Sequence, residues 1–126
     1  MSDLVLGIQH IGIPTLSMEK TEEFYKKLGF EIAFQAVNDG AKVVFLKNKD
    51  LVVEAYESKD ASMRDGAIDH VALTVSDIEA AYEWIGSLGF NTLKDEIHYL
   101  PFWDNGVKFF TIEGPNHERV EFSQFL

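Results

Sequence analysis

The chain repeats itself with a period of sixty residues, and that repeat decides what it can fold into. Ile8-Gln9-His10-Ile11-Gly12-Ile13 aligns without a gap on Ile68-Asp69-His70-Val71-Ala72-Leu73. At the same offset Phe24 falls on Trp84, and Leu28-Gly29-Phe30 falls on Leu88-Gly89-Phe90. A period of this length means a duplicated supersecondary unit whose copies share one pattern of elements. Each copy begins with a histidine-bearing strand, so the repeat bears on a site as well as on a fold.

The first copy reads as strand, helix and three strands, over residues 1–57. Leu4 to Ile13 is predicted as a strand. Its alternation sets Ile8, His10 and Gly12 on one face and Ile11 and Ile13 on the other. Pro14-Thr15-Leu16 is expected to break it. Ser17 is a good N-cap for a helix reaching about Leu28. Met18, Thr21, Tyr25 and Leu28 form the inner stripe of that helix, with Phe24 beside it. Gly29 suits the position after the last turn. Strands are predicted over Glu31–Val37, Ala41–Leu46 and Leu51–Tyr56, with a hairpin at Asn38-Asp39-Gly40.

Residues 58–67 are polar and aperiodic and read as a linker, after which 68–126 repeat the order. Ser76-x-x-Glu79 reads as a capping box. Ile78, Ala81, Ile85 and Leu88 line the second helix. The stretch Asn91–Trp103 is irregular and should hold one strand. Its segment His98-Tyr99-Leu100-Pro101-Phe102-Trp103 reads mainly as aromatic core, while His98, Phe102 and Trp103 are the candidates for lining a substrate pocket. Strands follow over Val107–Ile112 and Arg119–Phe122.

The last strands of the two copies also match, Val53-Glu54-Ala55 against Val120-Glu121-Phe122. If the aliphatic side chains meet the helices, Glu54 and Glu121 point the other way, with His10 and His70. A carboxylate in mid-strand is disfavoured by strand propensity and calls for a reason. His10, Glu54, His70 and Glu121 together make an N₂O₂ donor set suited to Zn, Ni, Fe or Co. An ion pair with Arg119 is the competing use of Glu121. Glu57 and Glu118 fall on the opposite strand face from the candidate glutamates, and His117 sits in a turn.

Bulk properties exclude several function classes. The chain has no cysteine, so disulfides, thiolate ligands and a cysteine nucleophile are ruled out. A formal net charge of −10 over 126 residues repels phosphate backbones and anionic lipid, so nucleic acid and membrane are poor partners. With no apolar run of spanning length and no signal-peptide pattern, the expected setting is cytoplasmic.

These residues resemble the vicinal oxygen chelate superfamily, which includes glyoxalase I, extradiol dioxygenases, methylmalonyl-CoA epimerase and the fosfomycin and bleomycin resistance proteins. The resemblance is carried by His10-Ile11-Gly12-Ile13, Phe24 to Phe30, Asp69 to Val75 and Phe110 to Phe122. It implies an α+β fold of two βαβββ modules whose strands curl into a cup-shaped, barrel-like sheet around a divalent metal. Glutamate at position 54 is most similar to glyoxalase I. That implies a metal-dependent lyase or isomerase, with Ni or Zn as the metal and Co, Mn or Fe as alternatives. The substrate would be a hemithioacetal or similar small oxygenated molecule, passing through an enediolate stabilised by the metal. Glu121 would be the base, with Glu54 as second carboxylate. Glyoxalases acting on glutathione conjugates typically hold its carboxylates with arginine. This chain has only Arg64 and Arg119, which argues against glutathione. The same resemblance admits a ligand-sequestering protein or an extradiol-type dioxygenase. It also implies a homodimer, with ligands drawn from one chain or from both.

Overall fold

The computed structural model describes residues 4, 6 and 8–126. The chain divides into two compact units, the first ending at Ser62 and the second running from Met63 to Leu126. Each holds one four-stranded mixed sheet and one helix, which makes the protein α+β.

The first unit contains β1 (Ile11–Thr15), α1 (Met18–Lys27), β2 (Glu31–Asn38), β3 (Ala41–Asn48) and β4 (Leu51–Glu57). The strand order is β1-β4-β3-β2. β1 lies parallel to β4, as a strand–helix crossover requires, and the other pairs are antiparallel hairpins. Ser17 caps α1, its hydroxyl accepting from the Lys20 N–H. Gly29 follows with φ +96°, a left-handed conformation that closes the helix at no steric cost. Asp39-Gly40 is the two-residue turn between β2 and β3, both residues at positive φ. Met18, Thr21, Phe24 and Tyr25 are buried on α1 and meet Val44, Leu46, Val53 and Ala55 of the sheet. Full burial of each such aliphatic or aromatic side chain contributes about 1.5–3 kcal/mol.

The second unit repeats the order: β5 (Val71–Thr74), α2 (Ile78–Ser87), β6 (His98–Leu100), β7 (Val107–Glu113) and β8 (Arg119–Phe125), arranged β5-β8-β7-β6. Ile78, Ala81 and Ile85 are buried on α2 beneath β7 and β8. Phe110 and Phe122 stack with ring centroids 5.1 Å apart.

Three local readings of the sequence require correction. The first strand begins at Ile11, not Leu4; Leu4, Leu6 and Ile8 are exposed, and residues 5 and 7 of that prediction lie outside the described residues. β1 also continues through Pro14 and Thr15 instead of ending before them. It is an edge strand, so the missing proline N–H breaks no ladder bond. The cap of α2 is Asp77, whose carboxylate accepts from the Ala80 N–H, and not Ser76. Asp77 stands sixty residues after Ser17, so the two caps share one place in the repeat.

Candidate metal centre

Sheet register places the candidate residues. Gly12 of β1 is paired with Glu54 of β4, and Glu54 with Phe45 of β3. Val53 and Ala55 are buried against α1, so Glu54 projects from the opposite face. His10 stands one residue before β1, on that same face. Its Nε2 lies 3.3 Å from Glu54 Oε1, and its Nδ1 lies 3.0 Å from Gln9 Oε1. The edge of the imidazole rests on the Phe45 ring, with centroids 5.4 Å apart at 85°. Phe34 lies beside Phe45 on the next strand, so one side of this pair is an aromatic wall.

The second unit builds the same device. Ala72 of β5 is paired with Glu121 of β8, and Glu121 with Thr111 of β7. Val120 and Phe122 are buried against α2 and Glu121 faces away. His70 stands one residue before β5. Its Nε2 lies 3.6 Å from Glu121 Oε1, and its Nδ1 lies 2.9 Å from Asp69 Oδ2. That hydrogen bond from His70 holds the Asp69 carboxyl below its ordinary range; desolvation opposes it, and the charge of His70, a hydrogen bond with Asp65 and the charge of Arg119 reinforce it.

The strand-start histidine and mid-strand glutamate therefore meet once in each unit. The small residues Gly12 and Ala72 lie opposite the glutamates. A Cβ on Gly12 would sit 3.6 Å from Glu54 Oε1, an ordinary contact that Ala72 already makes room for in the other copy.

Competing uses of the glutamates are absent from the described contacts. Arg119 Nε binds Asp65 Oδ2 at 3.3 Å, so the expected alternative, an Arg119–Glu121 pair, is not what the structure contains. Glu57 accepts the Lys42 N–H at 2.6 Å and Glu118 accepts the Asn116 N–H at 2.7 Å; both tie down backbone. His117 contacts Glu113 at the β7–β8 turn and is exposed.

The aromatic segment differs from the expectation that it is core. Tyr99, Phe102 and Trp103 are 56%, 55% and 75% exposed, and Trp103 packs edge-on against Phe125. His98 sits on β6 with its ring near Phe109, and its Nε2 lies 2.7 Å from Asp95 Oδ1. Asp95 was missed by sequence reasoning. Its Oδ2 accepts the Thr111 N–H at 2.9 Å, and its carbonyl accepts from Tyr82 Oη and Asn91 Nδ2. Side-chain hydrogen bonds, rather than a ladder, thus hold the segment before β6. The only sequence signal for this was a helix–strand connection rich in Asn and Asp.

Imidazole nitrogen and carboxylate oxygen are the donors that borderline divalent ions accept. In each unit the His Nε2 and the Glu oxygen face each other with solvent-accessible space beside them. The donor chemistry fits a divalent metal. Among the described residues, no three His, Asp or Glu side chains gather into a metal cage, so each unit presents two donors.

The sequence matches the model of the Glyoxalase/Bleomycin resistance protein/Dioxygenase superfamily over residues 7–122, and the chain belongs to that superfamily. It is 29% identical to the uncharacterized protein YwbC of Bacillus subtilis over 131 aligned positions, covering 93% of this chain and 96% of that one. Among solved structures it resembles a glyoxalase family protein from Enterococcus faecalis, at 21% identity and TM-score 0.76, covering 95% and 98% of the two chains. It also resembles the fosfomycin resistance protein FosX of Listeria monocytogenes, solved with Mn(II) and sulfate, at 16% identity and TM-score 0.72, covering 97% and 94%. These likenesses show the fold expected from the duplicated βαβββ pattern. No helix among the described residues is long and apolar enough to cross a membrane.

Proposed function

We propose that the protein is a metal-dependent lyase or isomerase of the glyoxalase type, in which His10, Glu54, His70 and Glu121 hold one divalent ion, Ni or Zn first and Co, Mn or Fe next. The observation that carries this reading is the repetition of one geometry: an imidazole Nε2 set 3.3 Å from a carboxylate in one unit and 3.6 Å in the other. The copies have diverged at most surface positions, such as Lys20 against Ala80 and Lys26 against Gly86, yet both keep the histidine and the glutamate. A bound divalent ion would supply electrophilic stabilisation of negative charge building on adjacent substrate oxygens.

The protein's own residues would then move the proton. Glu121, with its side chain 18% exposed, is the better-sheltered carboxylate and the favoured base for a carbon-bound proton beside a carbonyl. The protonated Glu121 would then return that proton to the neighbouring carbon, while Glu54, 26% exposed, is the second carboxylate on the opposite side. The substrate class is a hemithioacetal or a similar small oxygenated molecule. Glutathione is disfavoured as the thiol, because the net charge is −10 and Arg119 is engaged by Asp65. A homodimer in a cytoplasmic setting completes the proposal.

A second reading has one observation in its favour: the exposed Tyr99, Phe102 and Trp103 offer planar apolar surface for a sequestered ligand. An extradiol-type dioxygenase is the remaining alternative on this fold. Loading metal-free protein anaerobically with Ni, Zn, Co, Mn or Fe, then supplying methylglyoxal with several thiols, tests all three. Isomerisation with Ni or Zn is expected without O₂. Turnover confined to Fe(II) or Mn(II) with O₂ would reject the isomerase, and tight ligand binding with no turnover under any metal would favour sequestration.

A further inference from the structure

We propose that Asp69 is a positioning residue, fixing the His70 ring proton on Nδ1 and so making the second unit the stronger half of the divalent-cation site. The inference rests on the reading of the two His–Glu pairs as metal donors. It begins from a difference between copies that are otherwise alike. The residue before the histidine is Asp69 in one unit and Gln9 in the other, and each places a side-chain oxygen on Nδ1, at 2.9 and 3.0 Å.

Those two partners dictate different things. An ionised carboxylate only accepts, so His70 Nδ1 must be the donor. In the neutral ring the proton is then on Nδ1, and Nε2 carries a lone pair directed toward Glu121 Oε1 at 3.6 Å. Two acceptors face each other, an arrangement satisfied by a cation that takes both. A carboxamide can donate or accept, because turning it over exchanges its oxygen and nitrogen. Gln9 therefore satisfies either tautomer of His10. With the proton on Nε2, His10 can donate to Glu54 Oε1 at 3.3 Å and the pair closes on itself. The first unit can thus rest without an ion, whereas Asp69 holds the second open for one.

Asp69 has one further side-chain partner, Asp65, which hydrogen-bonds it away from the His70 ring. Arg119 lies near enough to act on it electrostatically, but the guanidinium Nε is bound to Asp65. Asp69 is 68% exposed on its side chain, so a substitution there removes little packing. Outer carboxylates that orient a metal-binding histidine typically matter by about 10–100-fold in metal affinity.

The test combines imidazole nitrogen spectra of the metal-free protein with Zn(II) titration calorimetry. In the wild type, His70 is expected to carry its proton on Nδ1. Asp69→Asn should mix the tautomers and weaken Zn(II) binding by about 10–100-fold. Asp65→Asn removes the same charge nearby without touching His70, and should leave the tautomer unchanged and lower affinity less. Gln9→Asp should fix the His10 proton on Nδ1 and tighten binding. If Asp69→Asn keeps wild-type affinity or the wild-type tautomer while His70→Ala abolishes binding, the role of Asp69 is overturned and the metal reading stands. If Zn(II) binding ignores His70→Ala, the metal reading fails and this proposal with it.

Discussion

Removing the Asp95 carboxylate should loosen the second unit by an amount that its contacts define. Asp95 Oδ2 accepts the Thr111 N–H at 2.9 Å in a part-buried position, and Oδ1 takes His98 Nε2 at 2.7 Å. A hydrogen bond to a charged group contributes about 1.5–3 kcal/mol when its loss strands the partner. The His98 side chain is half exposed, so that contact is discounted to about 0–1 kcal/mol for solvent screening. Asp95→Ala should therefore cost about 1.5–4 kcal/mol in urea unfolding at pH 7. Asp95→Asn keeps an acceptor for Thr111 and should cost about half as much. Acidity supplies a second check. Burial opposes the charge, but the hydrogen bonds from His98, Thr111 and Glu96 outweigh it and hold the carboxyl below its ordinary value of 3.8. A depressed carboxyl contributes stability that is present above the ordinary value and lost as pH falls through the depressed one. The difference between wild type and Asp95→Ala should thus persist from pH 7 to about 5 and shrink below about 4. A cost under about 0.5 kcal/mol at pH 7, typical of ordinary surface changes, would refute the assignment. So would a gap that persists undiminished after full protonation.

Three further outcomes follow from the packing. Phe110→Ala, at a ring with no exposure that stacks on Phe122 and meets Tyr82 edge-on, should cost about 3–5 kcal/mol by chemical denaturation. Gly106→Ala should cost about 1–2 kcal/mol, because φ is +94° and the new Cβ would stand 2.5 Å from Tyr99 Cε2; a melting temperature equal to wild type would contradict this. Thr21→Val should cost about 1–2 kcal/mol, since the buried hydroxyl bonds both Thr15 Oγ1 and the Ser17 carbonyl. In the second unit both places are apolar, Val75 for Thr15 and Ala81 for Thr21, so no hydroxyl there is left without its partner.

Where the sequence could be read, local chemistry and tertiary demand agreed. α1 announces itself by Ser17, by Met18, Thr21 and Tyr25 at helical spacing, and by Gly29. The β2–β3 hairpin announces itself by Asp39-Gly40. Where they disagreed, the reading slipped. Leu4, Leu6 and Ile8 alternate like a strand, yet pairing starts only at Ile11, where β4 offers Val53 as a parallel partner. Pro14 looks like a breaker, but only an inner strand would have suffered from it. Ser76 and Asp77 are both able to cap, and periodicity cannot choose between neighbours; the offset from Ser17 can. The segment before β6 was opaque because Asp95 and Asn91 hold it through side chains, which leave no periodic trace. The histidine–glutamate pairings were legible because strand alternation fixes a face, and the duplication stated each pairing twice.

The central claim is that both units give their imidazole and carboxylate to one ion, and metal content tests it most directly. Protein purified without chelator should carry one divalent ion per pair of histidines. His10→Ala, Glu54→Gln, His70→Ala and Glu121→Gln should each deplete it, while Glu57→Gln, on the other face of β4, should not. Full metal content in the His10→Ala or Glu54→Gln protein, with loss confined to the His70 and Glu121 variants, would contradict a shared site.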